Sequence, residues 1–130
     1  MPMAARRILI IEDETLIAMM VEGFLIDLGW NVVGLAGTLD RALAMVRDAD
    51  IDAALLDVNL NGQESFAAAK ILCDRRIPFV FATGYGMRGF DDRFPGVPTL
   101  TKPYQPDDLE HALRLAMAGT GNGANAAPQR

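Results

Sequence analysis

Short apolar runs alternate along this chain with segments of helical periodicity. "ILII" (8–11) has no polar alternation, as a central strand covered on both faces requires. Leu16, Ile17, Met20, Val21, Phe24, Leu25 and Leu28 then recur at spacings of one and three, an amphipathic helix that Gly29 stops. "NVVGLA" (31–36) predicts a second strand. Thr38 can cap a second helix carrying Leu39, Ala42, Leu43 and Val46. "AALLD" (53–57) is a third strand ending in an acid, "NLNG" (59–62) a turn, and residues 64–75 an alanine-rich helix. "FVFAT" (79–83) and the short "TLTK" (99–102) complete five strands. Leu109, Ala112, Leu113, Ala116 and Met117 stripe a last helix, with Pro106, Asp107 and Asp108 suited to its first turn and Gly119 to its end. Strands alternating with helices imply an α/β domain built on a parallel sheet.

Two stretches fall outside that rhythm. Residues 84–98 hold four glycines and two prolines and show no apolar stripe, although the alternation asks for a helix there, so a short, loose one is expected. The polar tail 119–130 has too little apolar surface to fold, which leaves one domain over 1–118.

Composition narrows the classes. At 130 residues with 51% hydrophobic and 22% charged positions, the chain can bury a core and is not a disordered sequence. Its 17 acidic against 12 basic residues give a net charge of −5, which argues against a nucleic-acid binder. No apolar run approaches the roughly 20 residues of a membrane span. The single Cys73 excludes an intramolecular disulfide and fits a reducing compartment, so a cytoplasmic location is expected. Cys73 itself reads as a small apolar residue of the third helix, Trp30 as structural, and His111 as a solvated histidine.

Chemistry enters through the strand ends. Glu12 and Asp13 follow the first strand, Asp57 ends the third, Thr83 the fourth and Lys102 the fifth. In an open α/β sheet that carboxyl edge is where ligands bind. Singly, each residue has a plain use: a helix cap for Glu12 and Asp13, a solvated cation for Lys102, a hydroxyl satisfying its own backbone for Thr83. Together they form a set. Three carboxylates repel one another unless a cation joins them, and oxygen-only ligation points to Mg2+. A hydroxyl and an ammonium suit the oxygens of a transferring phosphoryl group. Asp57, on the central strand, is the natural nucleophile, forming an acyl phosphate.

In "ILIIEDE" (8–14), "LLDVNLNG" (55–62), "FATG" (81–84) and "TKP" (101–103), residues 6 to about 118 resemble a response-regulator receiver domain of bacterial two-component signalling. The resemblance implies a flavodoxin-like doubly wound sheet of order 2-1-3-4-5. It implies that Glu12 and Asp13 hold Mg2+, that Asp57 accepts the phosphoryl group, and that the carbonyl of Asn59 completes the metal site. Thr83 and Lys102 would bind phosphoryl oxygens, and the bond to Pro103 would be cis. Mainstream receivers carry Tyr or Phe three residues before the lysine, where this chain has Thr99. "FATGYG" (81–86) instead resembles the FATGUY receivers, which are similar in lacking that aromatic and often partner HWE-type histidine kinases.

The expectation is a stand-alone receiver that takes phosphate from a histidine kinase, catalyses only its own phosphorylation and dephosphorylation, and signals by protein contact or phosphorelay. A phosphate sink and an unphosphorylated docking module are the alternatives. An aspartyl-phosphate phosphatase is disfavoured because "DVN" (57–59) lacks that class's second acid. Thr83, Gly84, Tyr85 and Thr99 are the switch candidates. Tyr85 reads equally as a packing residue, and residues 84–96 are expected to become ordered on phosphorylation.

Overall fold

A computed structural model describes residues 5–84 and 94–121. Tyr85 and residues 85–93, the greater part of the segments 84–98 and 84–96 on which a helix and an ordering step are expected, lie outside the described residues. In chain order the elements are β1 (Arg7–Ile11), α1 (Thr15–Asp27), β2 (Asn31–Ala36), α2 (Leu39–Asp48), β3 (Ala53–Asp57), β4 (Asn59–Leu60), β5 (Gln63–Glu64), α3 (Phe66–Asp74), β6 (Phe79–Thr83), β7 (Thr99–Thr101) and α4 (Pro106–Gly121). Five strands pair in parallel in the order β2-β1-β3-β6-β7, and β4 and β5 form a separate antiparallel pair. Numbered along the main sheet alone, this is the expected 2-1-3-4-5.

The central strands carry apolar residues on both faces because each face has its own helices to meet. Leu9, Ile11, Ala54, Leu56, Phe79 and Phe81 pack with Ala42 and Val46 of α2 and Ala68, Ala69 and Leu72 of α3. Their neighbours Ile8, Ile10, Ala53, Leu55, Val80 and Ala82 point the other way. There they meet Ala18, Val21 and Leu25 of α1 and Leu109, Ala112, Leu113 and Ala116 of α4. Helix ends are closed by named groups. The Thr38 hydroxyl accepts from Arg41 N–H at 3.2 Å, and the Arg75 guanidinium donates to the Val46 and Ala49 carbonyls at the end of α2. Gly29 (φ +95°) ends α1 as Trp30 N–H turns back to the Leu25 carbonyl, a geometry that favours glycine.

Four details depart from the sequence expectations. Leu16 and Met20 were expected in the buried stripe of α1 but are 82% and 45% exposed. The rest of the stripe faces inward or lies beside the core: Val21 and Leu25 are buried with Ala18, and Ile17 and Phe24 pack against them. Glu64 belongs to β5, so α3 starts later than expected. α4 continues past Gly119 to Gly121. Cys73 is exposed on α3 and is not apolar filling.

Ser65, immediately before α3, is fully buried, and among the described residues its hydroxyl has no hydrogen-bond partner. Because a buried, unpaired hydroxyl carries a desolvation cost, Ser65→Ala should stabilise the protein by about 1 kcal/mol in urea denaturation. A loss of stability would show that the hydroxyl is satisfied in solution.

Candidate functional site

The ladder runs one residue beyond the strands, and this fixes the site. Glu12 N–H donates to the Ala36 carbonyl at 2.9 Å, Val58 N–H to Ala82 at 2.9 Å, and Lys102 N–H to Thr83 at 2.8 Å. Glu12, Asp57, Thr83 and Lys102 therefore emerge together at the carboxyl edge. Buried Phe81 backs that edge, its ring edge-on to Phe79 at 5.4 Å and to Phe66 at 6.0 Å. Glu12, Asp57 and Thr83 are buried, each no more than 7% exposed.

Glu12, Asp13 and Asp57 can each offer one oxygen such that all three lie within 4.8 Å of one another. The Lys102 ammonium bridges the two buried carboxylates, 2.9 Å from Asp57 Oδ2 and 3.0 Å from Glu12 Oε1. Glu12 Oε2 accepts from Glu14 N–H at 3.1 Å, and Asp57 Oδ1 from Asn59 N–H at 3.4 Å. Asp13 Oδ2 accepts from Asn61 N–H at 2.9 Å, across 48 positions of sequence. Thr83 Oγ1 donates to the Gly84 carbonyl at 2.9 Å. Thr99 is exposed at the start of β7, and the Lys102–Pro103 peptide is cis.

The electrostatics follow from crowding in a dry place. Burial, with the Asp57 charge adding to it, pushes the Glu12 carboxyl from 4.5 up to about 7, against the pull of Glu14 N–H and Lys102. Burial acts to lower the Lys102 pKa, but its bonds to Asp57 and Glu12 outweigh that and raise it. The ammonium thus stays charged beside the two buried carboxylates. Three carboxylates offering oxygens within 4.8 Å of one another are the donor set a hard divalent cation takes.

Sequence reasoning missed two residues. Tyr104 is buried, its phenol pKa raised by burial and then by the Glu12 and Asp57 charges. It follows Lys102–Pro103 directly, so "TKPY" was the available signal. Asn61 was read only as part of a turn. The Asn-Gly pair between Leu60 and Gln63 was the sign of the hairpin that carries its amide to Asp13.

Comparison with known proteins gives the same direction. The family model for the response regulator receiver domain matches residues 8–114. The transcriptional regulatory protein PdtaR of Mycobacterium tuberculosis is 32% identical over 117 residues, which are 87% of this chain and 57% of PdtaR. The phyllosphere-induced regulator PhyR of Methylorubrum extorquens is 33% identical over 117 residues, 87% of this chain and 44% of PhyR. This chain thus spans only about half the length of those relatives. The solution structure of SdrG from Sphingomonas melonis Fr1 superposes with a TM-score of 0.79 at 48% identity, covering 89% of this chain and 99% of SdrG. A second SdrG structure, in the BeF3-activated conformation, gives 0.73 at 49% identity, covering 88% and 99%. On the family match over residues 8–114 and the likeness to these relatives, this chain belongs to the response regulator receiver domain family.

Proposed function

We propose that Asp57 accepts a phosphoryl group from a histidine kinase, and that Thr83 and Lys102 bind the oxygens of the incoming group. Receiver domains are signalling modules that meet histidine kinases and downstream proteins. The observation that carries the reading is the Lys102 ammonium, 2.9 Å from Asp57 Oδ2 within a cluster of three carboxylates. An Asp57 oxygen attacks phosphorus, the P–N bond to the donor imidazole breaks, and the imidazole leaves with the bonding pair. Lys102 then turns part of its charge from the carboxylates to the phosphoryl oxygens. Thr83 has one hydroxyl hydrogen, now donated to the Gly84 carbonyl, so binding a phosphoryl oxygen requires that bond to be given up. Glu12, Asp13, Asp57 and the Asn59 carbonyl would hold Mg2+. Bound there, Mg2+ would neutralise the carboxylates and draw charge from the phosphoryl oxygens.

The product is an acyl phosphate on Asp57, and the only turnover is the protein's own phosphorylation and dephosphorylation. SdrG has a BeF3-activated conformation, which supports a phosphoryl-driven state for its relative here. Thr99 in place of an aromatic and the "FATG" of residues 81–84 support the FATGUY subgroup and an HWE-type kinase, in the cytoplasm. Incubation with a panel of autophosphorylated HWE-type and conventional histidine kinases, with Mg2+, tests this. Transfer of label to Asp57 is expected from at least one HWE-type kinase. No transfer from any kinase or from acetyl phosphate would overturn the phosphoacceptor reading in favour of a docking module.

A further inference from the structure

The β4–β5 hairpin is a two-residue turn of Asn61 and Gly62, with φ +53° and +88°. Both values lie in the left-handed region, where asparagine and glycine are the favoured pair. The Asn59 side-chain oxygen closes the turn by accepting from Gly62 N–H at 2.7 Å. The base is anchored as well: Leu60 is buried in the core, and Ser65 N–H donates to the Val58 carbonyl at 2.9 Å. Only the tip is free to serve another end, and it aims Asn61 N–H at Asp13 Oδ2, 2.9 Å away.

That bond matters because the three carboxylates are held in different ways. Glu12 and Asp57 are buried and clasped by Lys102. Asp13 is half-exposed, on the link between β1 and α1, and the hairpin amide reaches it. A carboxylate free to rotate must be ordered when it binds a cation, whereas one already oriented binds without that cost.

We infer that the Asn61–Gly62 turn is a positioning element for the divalent cation, its Asn61 amide holding the Asp13 carboxylate oriented toward Glu12 and Asp57. The inference rests on the reading of the pocket as a Mg2+ site. It assigns to Asn61 and Gly62 a role through Asp13, with no direct contact to the ion.

The test is calorimetric titration of the metal-free full chain with MgCl2. Gly62→Val places a β-branched residue at φ +88° and displaces the amide, while Asn61→Gly keeps the N–H and suits a positive φ. Gly62→Val should weaken Mg2+ binding about tenfold, the lower end of what the loss of an outer-shell partner does. Asn61→Gly should stay within about twofold of the parent. Amide exchange is the second readout: the Asn61 N–H of the parent chain should be protected without metal and lose that protection in Asp13→Ala. Unchanged affinity in a folded Gly62→Val, or an Asn61 amide that exchanges as freely in the parent as in Asp13→Ala, overturns the inference. A parent chain that binds no Mg2+ overturns the metal reading beneath it, an outcome distinct from either.

Discussion

Asp57→Asn should take up no phosphoryl group from acetyl phosphate or a kinase while keeping the fold of the parent chain. Asp57 is 5% exposed at the last position of β3, so the residue that replaces it must match its shape. Asparagine does, and its amide oxygen can still accept from the Lys102 ammonium now 2.9 Å from Oδ2. The amide nitrogen would then face Asn59 N–H, a donor opposite a donor at the long separation of 3.4 Å, a mild conflict. Against it stands the relief of one negative charge beside Glu12 and Asp13, so stability should change by no more than about 1 kcal/mol. Chemistry is affected quite differently, since an amide has no free carboxylate oxygen to attack phosphorus. Intact mass after incubation with donor and Mg2+ is the measurement. Parent protein should gain one phosphoryl group that hydroxylamine removes, and the variant none. Labelling of the variant at the parent's rate would move the acceptor to another residue.

Much of this site was legible because strand ends are legible. A buried strand announces itself by an unbroken apolar run, and the first polar residue after it must lie at the sheet edge. "ILII" before Glu12 and "FVFA" before Thr83 are such runs, and the parallel order then puts those residues side by side. Glu12, Asp57 and Thr83 were found in this way, while Lys102 follows the short "TLT", which carries only one apolar residue. The stripe of α1 was read too wide: Val21 and Leu25 are buried and Ile17 and Phe24 pack beside them, but Leu16 and Met20 at its edge turned outward. The contact of Asn61 with Asp13 was hidden for another reason. It is made by a backbone amide, which every residue but proline carries, so no side chain at position 61 advertises it. Only the turn chemistry of Asn-Gly does, and that gives the bend without its target. The Thr83 bond to the Gly84 carbonyl, by contrast, is a local side-chain to backbone contact that the residue type itself suggested.

The pocket's charge balance makes the loss of Lys102 costly to the fold. Its ammonium is the cation between two carboxylates that are 5% and 6% exposed, while it is itself 20% exposed. Lys102→Met keeps the length of the side chain and removes the charge, which leaves Glu12 and Asp57 facing each other. Breaking a buried pair from one side is strongly destabilising, and after allowance for the partial exposure of Lys102 the loss should be about 3 kcal/mol in metal-free buffer at pH 8. Phosphoryl uptake should fall about 100-fold with it, as when one oxyanion donor is removed. The pH dependence gives the cause away. Glu12 in the parent has its pKa raised from 4.5 to about 7, so between those values the folded state holds a proton that the unfolded state has lost. This contribution to stability is therefore full below about 4.5 and is lost as pH rises through 7. Without the ammonium, the Glu12 carboxyl holds its proton to still higher pH, so at pH 6 the variant should be much closer to the parent. Thermal melts of both proteins at pH 6 and pH 8, with EDTA and with Mg2+, separate the contributions: the gap should widen with pH and narrow when the cation is supplied. A variant as stable as the parent at pH 8 in EDTA would mean that the two carboxylates are solvated in solution and that Lys102 does not hold them together.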